Sequence, residues 1–185
     1  MLKIGKRTFY ILWGLFIVFL FVSYIQNPEI AKPEQVRGFI QTYGNEMMLV
    51  YIILTLVRGF FMIPSTPFVI AGGMLFPNQL LLVLTISMIG VLVSATSLYY
   101  FSDMLGFSNY LEKKYPNGIN KWKNRLKSPK AILLTTGWSF FPFVPTDLIC
   151  YVAGIVKMPY KYLFIGVFTG ELVLDVFYVC FGAQI

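Results

Sequence analysis

The chain has 185 residues, 57% of them apolar, 18% aromatic and only 12% charged, with a net charge of +7. Its 23 charged residues cannot clothe a water-soluble domain of this size, and its apolar residues come in runs of 17 to 23, a bilayer's length. The composition is that of an integral membrane protein.

The chain contains no histidine, which excludes an imidazole base, a phosphohistidine and a His-ligated metal. Cys150 and Cys180 lie far apart in apolar runs and read as small buried side chains, so no metal or cofactor is expected. The basic residues flank apolar segments, which points to anionic lipid and away from nucleic acid.

Lys3, Lys6 and Arg7 precede an apolar run from Phe9 to Ile25, read as an uncleaved anchor helix with a cytoplasmic N-terminus. After Pro33, Val36, Phe39, Ile40 and Tyr43 share one helical face, the pattern of a helix lying in the interface. Residues 1–46 form this N-terminal part, and 47–185 the membrane domain. Met47 to Phe76 is apolar but broken by Pro64-Ser65-Thr66-Pro67 and Gly72-Gly73, so one straight helix is not expected. Gln79 to Phe101 is a crossing of 23 residues. The loop 102–130 carries seven basic residues against Asp103 and Glu112. Within it Ile119, Trp122 and Leu126 share a face beside Lys121, Lys123, Arg125 and Lys127, a second interfacial helix suited to binding an anionic leaflet. Ala131 to Val156 repeats the broken pattern, and Tyr162 to Phe181 is a last crossing.

The two broken segments look like copies. Each has Pro-x-x-Pro (Pro64/Pro67, Pro142/Pro145), then Ala-Gly, four residues and a further proline (Pro77, Pro159). With the N-terminus inside, every basic cluster falls on one side if the first segment dips in from outside and the second from inside. The expected fold is all-α: an inverted repeat of re-entrant hairpin plus transmembrane helix, 47–101 and 131–185, around the basic loop.

Arg58, Asp147, Glu171 and Asp175 lie within apolar sequence, where each costs roughly 2.5–3.5 kcal/mol if it faces lipid. Glu171 and Asp175, four residues apart, share a helix face, and Glu171 lies about 14 Å into the last crossing. Like charges at that depth favour a shared proton, which makes them a candidate proton-coupling pair; Arg58 is their natural counter-ion. A structural ion pair is the competing reading. Asp147 either caps a half-helix or binds a proton or cation, and Ser65 and Thr66 read as caps or turn formers.

Arg58 with Ile63-Pro64-Ser65-Thr66-Pro67 and Ala71-Gly72-Gly73-Met74-Leu75-Phe76 resembles the VTT domain of the DedA-like superfamily, the SNARE-associated Golgi proteins. Phe141-Pro142-Phe143-Val144-Pro145-Thr146-Asp147 and Tyr151-Val152-Ala153-Gly154 extend the likeness, which is closest to the Golgi-vesicle-protein (Tvp) branch. The resemblance implies two opposed re-entrant hairpins and lipid translocation, flipping or scrambling a phospholipid or polyprenyl phosphate. Arg58, Ser65, Thr66 and Asp147 would then meet the headgroup. An arginine that many relatives carry before the second motif is replaced here by Ser139. The partners expected are membrane lipids, anionic or phosphate-bearing, with no nucleic acid and with homo-oligomerisation open. The expected location is the cell membrane, bacterial plasma membrane in preference to Golgi or ER. The alternative is a non-transporting scaffold that recruits partners through its basic loop; enzymatic chemistry is not expected.

Overall fold

The computed structural model describes residues 32–61, 63–104, 123–142 and 144–185, with single positions at 15, 19, 23, 26, 27, 29, 114 and 120. Most of the anchor expected over 9–25 and most of the basic-loop helix, with Lys121 and Trp122, lie outside the described residues. Among the described residues every regular element is helical. The α-helices are α1 (Pro33–Gln41), α2 (Met47–Val57), α3 (Thr66–Leu75), α4 (Leu80–Met104), α5 (Lys130–Ser139), α6 (Thr146–Ile155) and α7 (Tyr160–Gly182).

Helices α4 and α7, with 25 and 23 residues, are long and apolar enough to cross a membrane. At 1.5 Å per residue both exceed the roughly 30 Å of a hydrocarbon core. Their outward side chains are mostly apolar, as with Leu81 and Phe177, which are 77% and 75% exposed. Helices α2, α3, α5 and α6 have only 10 or 11 residues, about half that thickness. The breaks between them come from proline. A 3-10 turn, Arg58–Phe61, closes α2 before Pro64, and Phe140 closes α5 before Pro142. Proline has no N–H to continue a helix and disfavours the α conformation in the residue before it.

The long helices exchange partners. Helix α4 packs on α2 of its own half and on α6 of the other, while α7 packs on α5 of its own half and on α3 of the other. The contacts between each long helix and the first short helix of its half match residue for residue. Thr55 and Gly59 lie against Gly90 and Ser94, and Thr135 and Ser139 lie against Gly166 and Gly170. Both sides of each contact advance by four residues, one helical turn, and the Gly and Ser of the second pair are interchanged.

The glycines expected to break helices do not. Gly72 and Gly73 lie inside α3 and Gly154 inside α6. What needs a hydrogen at Gly73 and Gly154 is close approach. A Cβ on Gly73 would strike the carbonyl oxygen of Val179 in α7, and one on Gly154 that of Tyr99 in α4. The prolines supply the breaks, and the glycines supply the contacts between halves.

Two apolar clusters flank these contacts. Ile40, Tyr51, Val69, Val83 and Val179 form one; Leu98, Ile149, Cys150, Ala153, Leu163 and Val167 belong to the other. The apolar face of α1 is divided, because Val36 and Ile40 pack inward while Phe39 and Tyr43 stay exposed, edge to face at 5.4 Å. Cys150 is buried as expected. Cys180 is exposed, because it lies on the outer face of α7.

Candidate functional site

The polar groups of the membrane domain gather where the short helices break. In the first half Arg58 opens the 3-10 turn and is only 4% exposed. Its Nη1 donates to the carbonyl oxygen of Ile63 at 3.0 Å, which satisfies a backbone acceptor that the prolines leave without a helical donor. In the second half the indole Nε1 of Trp138 donates to the carbonyl oxygen of Pro145 at 3.3 Å. The matched contacts of Thr55 with Thr135 and Gly59 with Ser139 place Arg58 opposite Trp138, not opposite Ser139. Each break is therefore tied by one side-chain N–H, charged in one half and neutral in the other. Sequence reading missed Trp138, because an indole within an apolar run reads as bulk.

The second short helix of each half starts with a threonine turned towards α7. The Thr146 hydroxyl donates to Oε1 of Glu171, and Thr66 lies close to Tyr178. Thr66 is thus a contact to α7. The Ser65 side chain makes no cap; its carbonyl instead accepts the N–H groups of Phe68 and Val69 at 2.9 and 3.1 Å. Asp147 is not a cap either. Helix α6 already begins at Thr146, so the carboxylate falls in its first turn, where the helix dipole favours negative charge.

Arg58 lies within electrostatic reach of Asp147, Glu171 and Asp175. Glu171 and Asp175 are 4% and 1% exposed, on the side of α7 that faces the other helices. The four ionisable groups singled out in the sequence thus share one region. They do not close into a simple ion pair: both oxygens of Asp175 and Nε of Arg58 make no hydrogen bond. Nearby, the buried Tyr51 hydroxyl bonds Ser87 at 2.9 Å, joining α2 to α4 and standing within electrostatic reach of Asp175 and Arg58. Tyr51 and Ser87 carry no charge and no motif, so nothing in the sequence marked them. Among the described residues no group of His, Cys, Asp and Glu could hold a metal ion.

Of the basic residues of the loop, Lys123 and Arg125 lie on a short helical stretch over 123–126 and Lys127 follows it. Its Leu126, only 3% exposed, is held in the core.

No curated protein and no solved structure matches this chain. The family model described as the VTT domain matches residues 63–184, from the first break to the end of α7. By that match the chain belongs to the VTT domain family of DedA and SNARE-associated Golgi proteins, a membrane-associated family linked to transport.

Proposed function

We propose that this protein is a lipid translocase that lets a phosphate-bearing headgroup pass between its two broken helix pairs while the tails stay in lipid. The observation that carries this reading is the gathering of the buried Arg58, Glu171 and Asp175 with the half-buried Asp147 around breaks only half a bilayer deep. A scaffold needs no such cluster, since each buried charge costs stability that packing would otherwise provide.

In this reading the short-helix pairs are re-entrant hairpins, inserted from opposite faces and related as an inverted repeat. The exchanged packing of α4 and α7 and the matched contacts at Gly90 and Gly166 support it. The N-terminus and the basic loop lie on the cytoplasmic side of the cell membrane. Arg58 meets the phosphate, and the turns bearing Ser65, Thr66 and Asp147 line the furrow. Asp175, a buried carboxylate with no hydrogen-bond partner, takes up a proton together with Glu171 as the furrow changes its opening. The likeness to the Tvp branch belongs to this reading too.

The test is headgroup accessibility in liposomes that contain the purified protein and one labelled lipid at a time, with and without a pH gradient. Phosphate-bearing labels should become accessible from both leaflets faster than in protein-free vesicles, and Arg58→Gln should abolish the gain. No acceleration for any label would leave the scaffold reading in place.

A further inference from the structure

Helix α2 and the turn that closes it carry three polar residues on one face. Tyr51, Thr55 and Arg58 follow one another at i, i+4 and i+7, and none is more than 4% exposed. The Thr55 methyl faces Gly90 of α4, which turns its hydroxyl away from that contact. Asp175 of α7 comes to the same face. A Cβ on Gly72 of α3 would strike the Tyr51 hydroxyl, and one on the adjoining Gly73 would strike the carbonyl oxygen of Val179, one turn after Asp175. Tyr51 and Val179 accordingly belong to one apolar cluster. Asp175 is also within electrostatic reach of both Tyr51 and Arg58.

Among the described residues six buried side-chain atoms make no hydrogen bond, and four of them meet here: Oγ1 of Thr55, Nε of Arg58 and both carboxylate oxygens of Asp175. Oγ1 of Thr55 lies near the Tyr51 hydroxyl but outside hydrogen-bond geometry, and that hydroxyl bonds Ser87 instead. A polar group buried in this way loses its hydration and gains nothing for it, so four in one place call for a shared partner.

The chemistry of these atoms selects that partner. Nε of a guanidinium only donates, a carboxylate accepts, and a threonine hydroxyl does both. A metal cation would satisfy Asp175 and Thr55, but Arg58 repels it and Nε stays unmet. An anion would satisfy Arg58, but Asp175 repels it. A small neutral molecule that both donates and accepts satisfies all of them, and two to four polar partners are what a buried water requires. We infer that Thr55, Arg58 and Asp175 enclose a site for bound water, which bridges the guanidinium and the carboxylate in place of a direct ion pair. A pair separated by water is held less tightly than a direct one, which leaves Arg58 able to engage another anion. The site itself does not depend on lipid movement; its use, to hand a proton to Asp175, rests on the translocase reading above.

Radiolytic hydroxyl-radical labelling of the full chain in a neutral detergent tests the site, because radicals formed from a bound water modify the side chain beside it. Tyr51 is 0% exposed and Tyr43, on α1, is 45% exposed. After correction for intrinsic reactivity, Tyr51 should be labelled about as fast as Tyr43, whereas Leu163, 0% exposed in the other apolar cluster, should stay unlabelled. Asp175→Leu fills the site with apolar bulk and should slow labelling of Tyr51 about fivefold. Thr55→Val keeps the shape of the side chain and removes only its hydroxyl, so the smaller slowing expected there cannot be ascribed to a damaged fold. An unlabelled Tyr51, or equal labelling in the unaltered chain and both variants, would overturn the site. Labelling of Leu163 as fast as that of Tyr51 would overturn it as a discrete site. Slower labelling of Tyr51 when sodium chloride replaces choline chloride would overturn water as its ligand in favour of a cation. No arm measures translocation, so a failed site and a failed translocase give different results.

Discussion

The two halves of the membrane domain share a scaffold and differ in their charges. Each has two short helices separated by a proline break, a side-chain N–H tying that break, and a long helix seated on the first short one through Thr, Gly and Ser. In the first half the tie is Arg58 and the long helix is uncharged over most of its length. In the second the tie is the neutral Trp138, and the long helix bears Glu171 and Asp175. Matching Gly90 to Gly166 sets these carboxylates opposite Ala95 and Tyr99 of α4. The shared scaffold supplies geometry twice, while the cation comes from one half and the carboxylates on the long helix from the other. In the proposed translocase this would make the furrow electrically asymmetric across its middle, a property that directional or proton-coupled movement would use.

The largest effect should come from the contacts that join the halves. Gly73→Leu and Gly154→Leu each drive a side chain into the backbone of the opposite half's long helix and should cost about 3 kcal/mol or more. Thermal unfolding in detergent should show both variants failing or melting far below the unaltered chain. A tolerated leucine at either position would break the equivalence of the two contacts.

The ties should differ in strength. Arg58→Gln should cost about 1.5–3 kcal/mol, since a charged donor is lost and nearby carboxylates are stranded, whereas Trp138→Phe should cost about 1 kcal/mol. The double variant Arg58→Gln, Glu171→Gln should regain stability and still move no lipid. Equal costs for the two single variants would remove the asymmetry, and wild-type translocation by the double variant would end the role of both residues.

The carboxylates sharpen the comparison further. Glu171→Gln or Asp175→Asn should flatten the pH dependence of headgroup movement, measured over a pH series in the same liposomes. Tyr99→Phe at the matched place in the first half should leave that dependence unchanged. Orientation can be checked independently by labelling single cysteines at Asn78 and Lys157 in a Cys150→Ser, Cys180→Ser background. Opposite sides are expected, and labelling from the same side would break the inverted relation. The smallest effect is at Gly137, which has open space around it; Gly137→Ala should stabilise by about 0.5–1 kcal/mol in thermal unfolding.

Composition and punctuation by themselves determined much of this molecule. Apolar runs of bilayer length mark the two long helices, and paired prolines mark the two breaks, because both are local constraints on a chain in lipid. The four ionisable residues of the site were legible for the same reason: charge inside apolar sequence is expensive wherever the chain runs. What only the tertiary structure decided is who meets whom. Spacing could not reveal that α4 and α7 exchange short helices between halves, that Gly73 and Gly154 are contact points instead of breaks, or that Trp138 answers Arg58. Nor could it leave Asp175 without a hydrogen-bond partner within electrostatic reach of Arg58. Local chemistry acts on neighbours in sequence, whereas these pairings arise from the way apolar helices pack, and packing is settled by the shape of the whole.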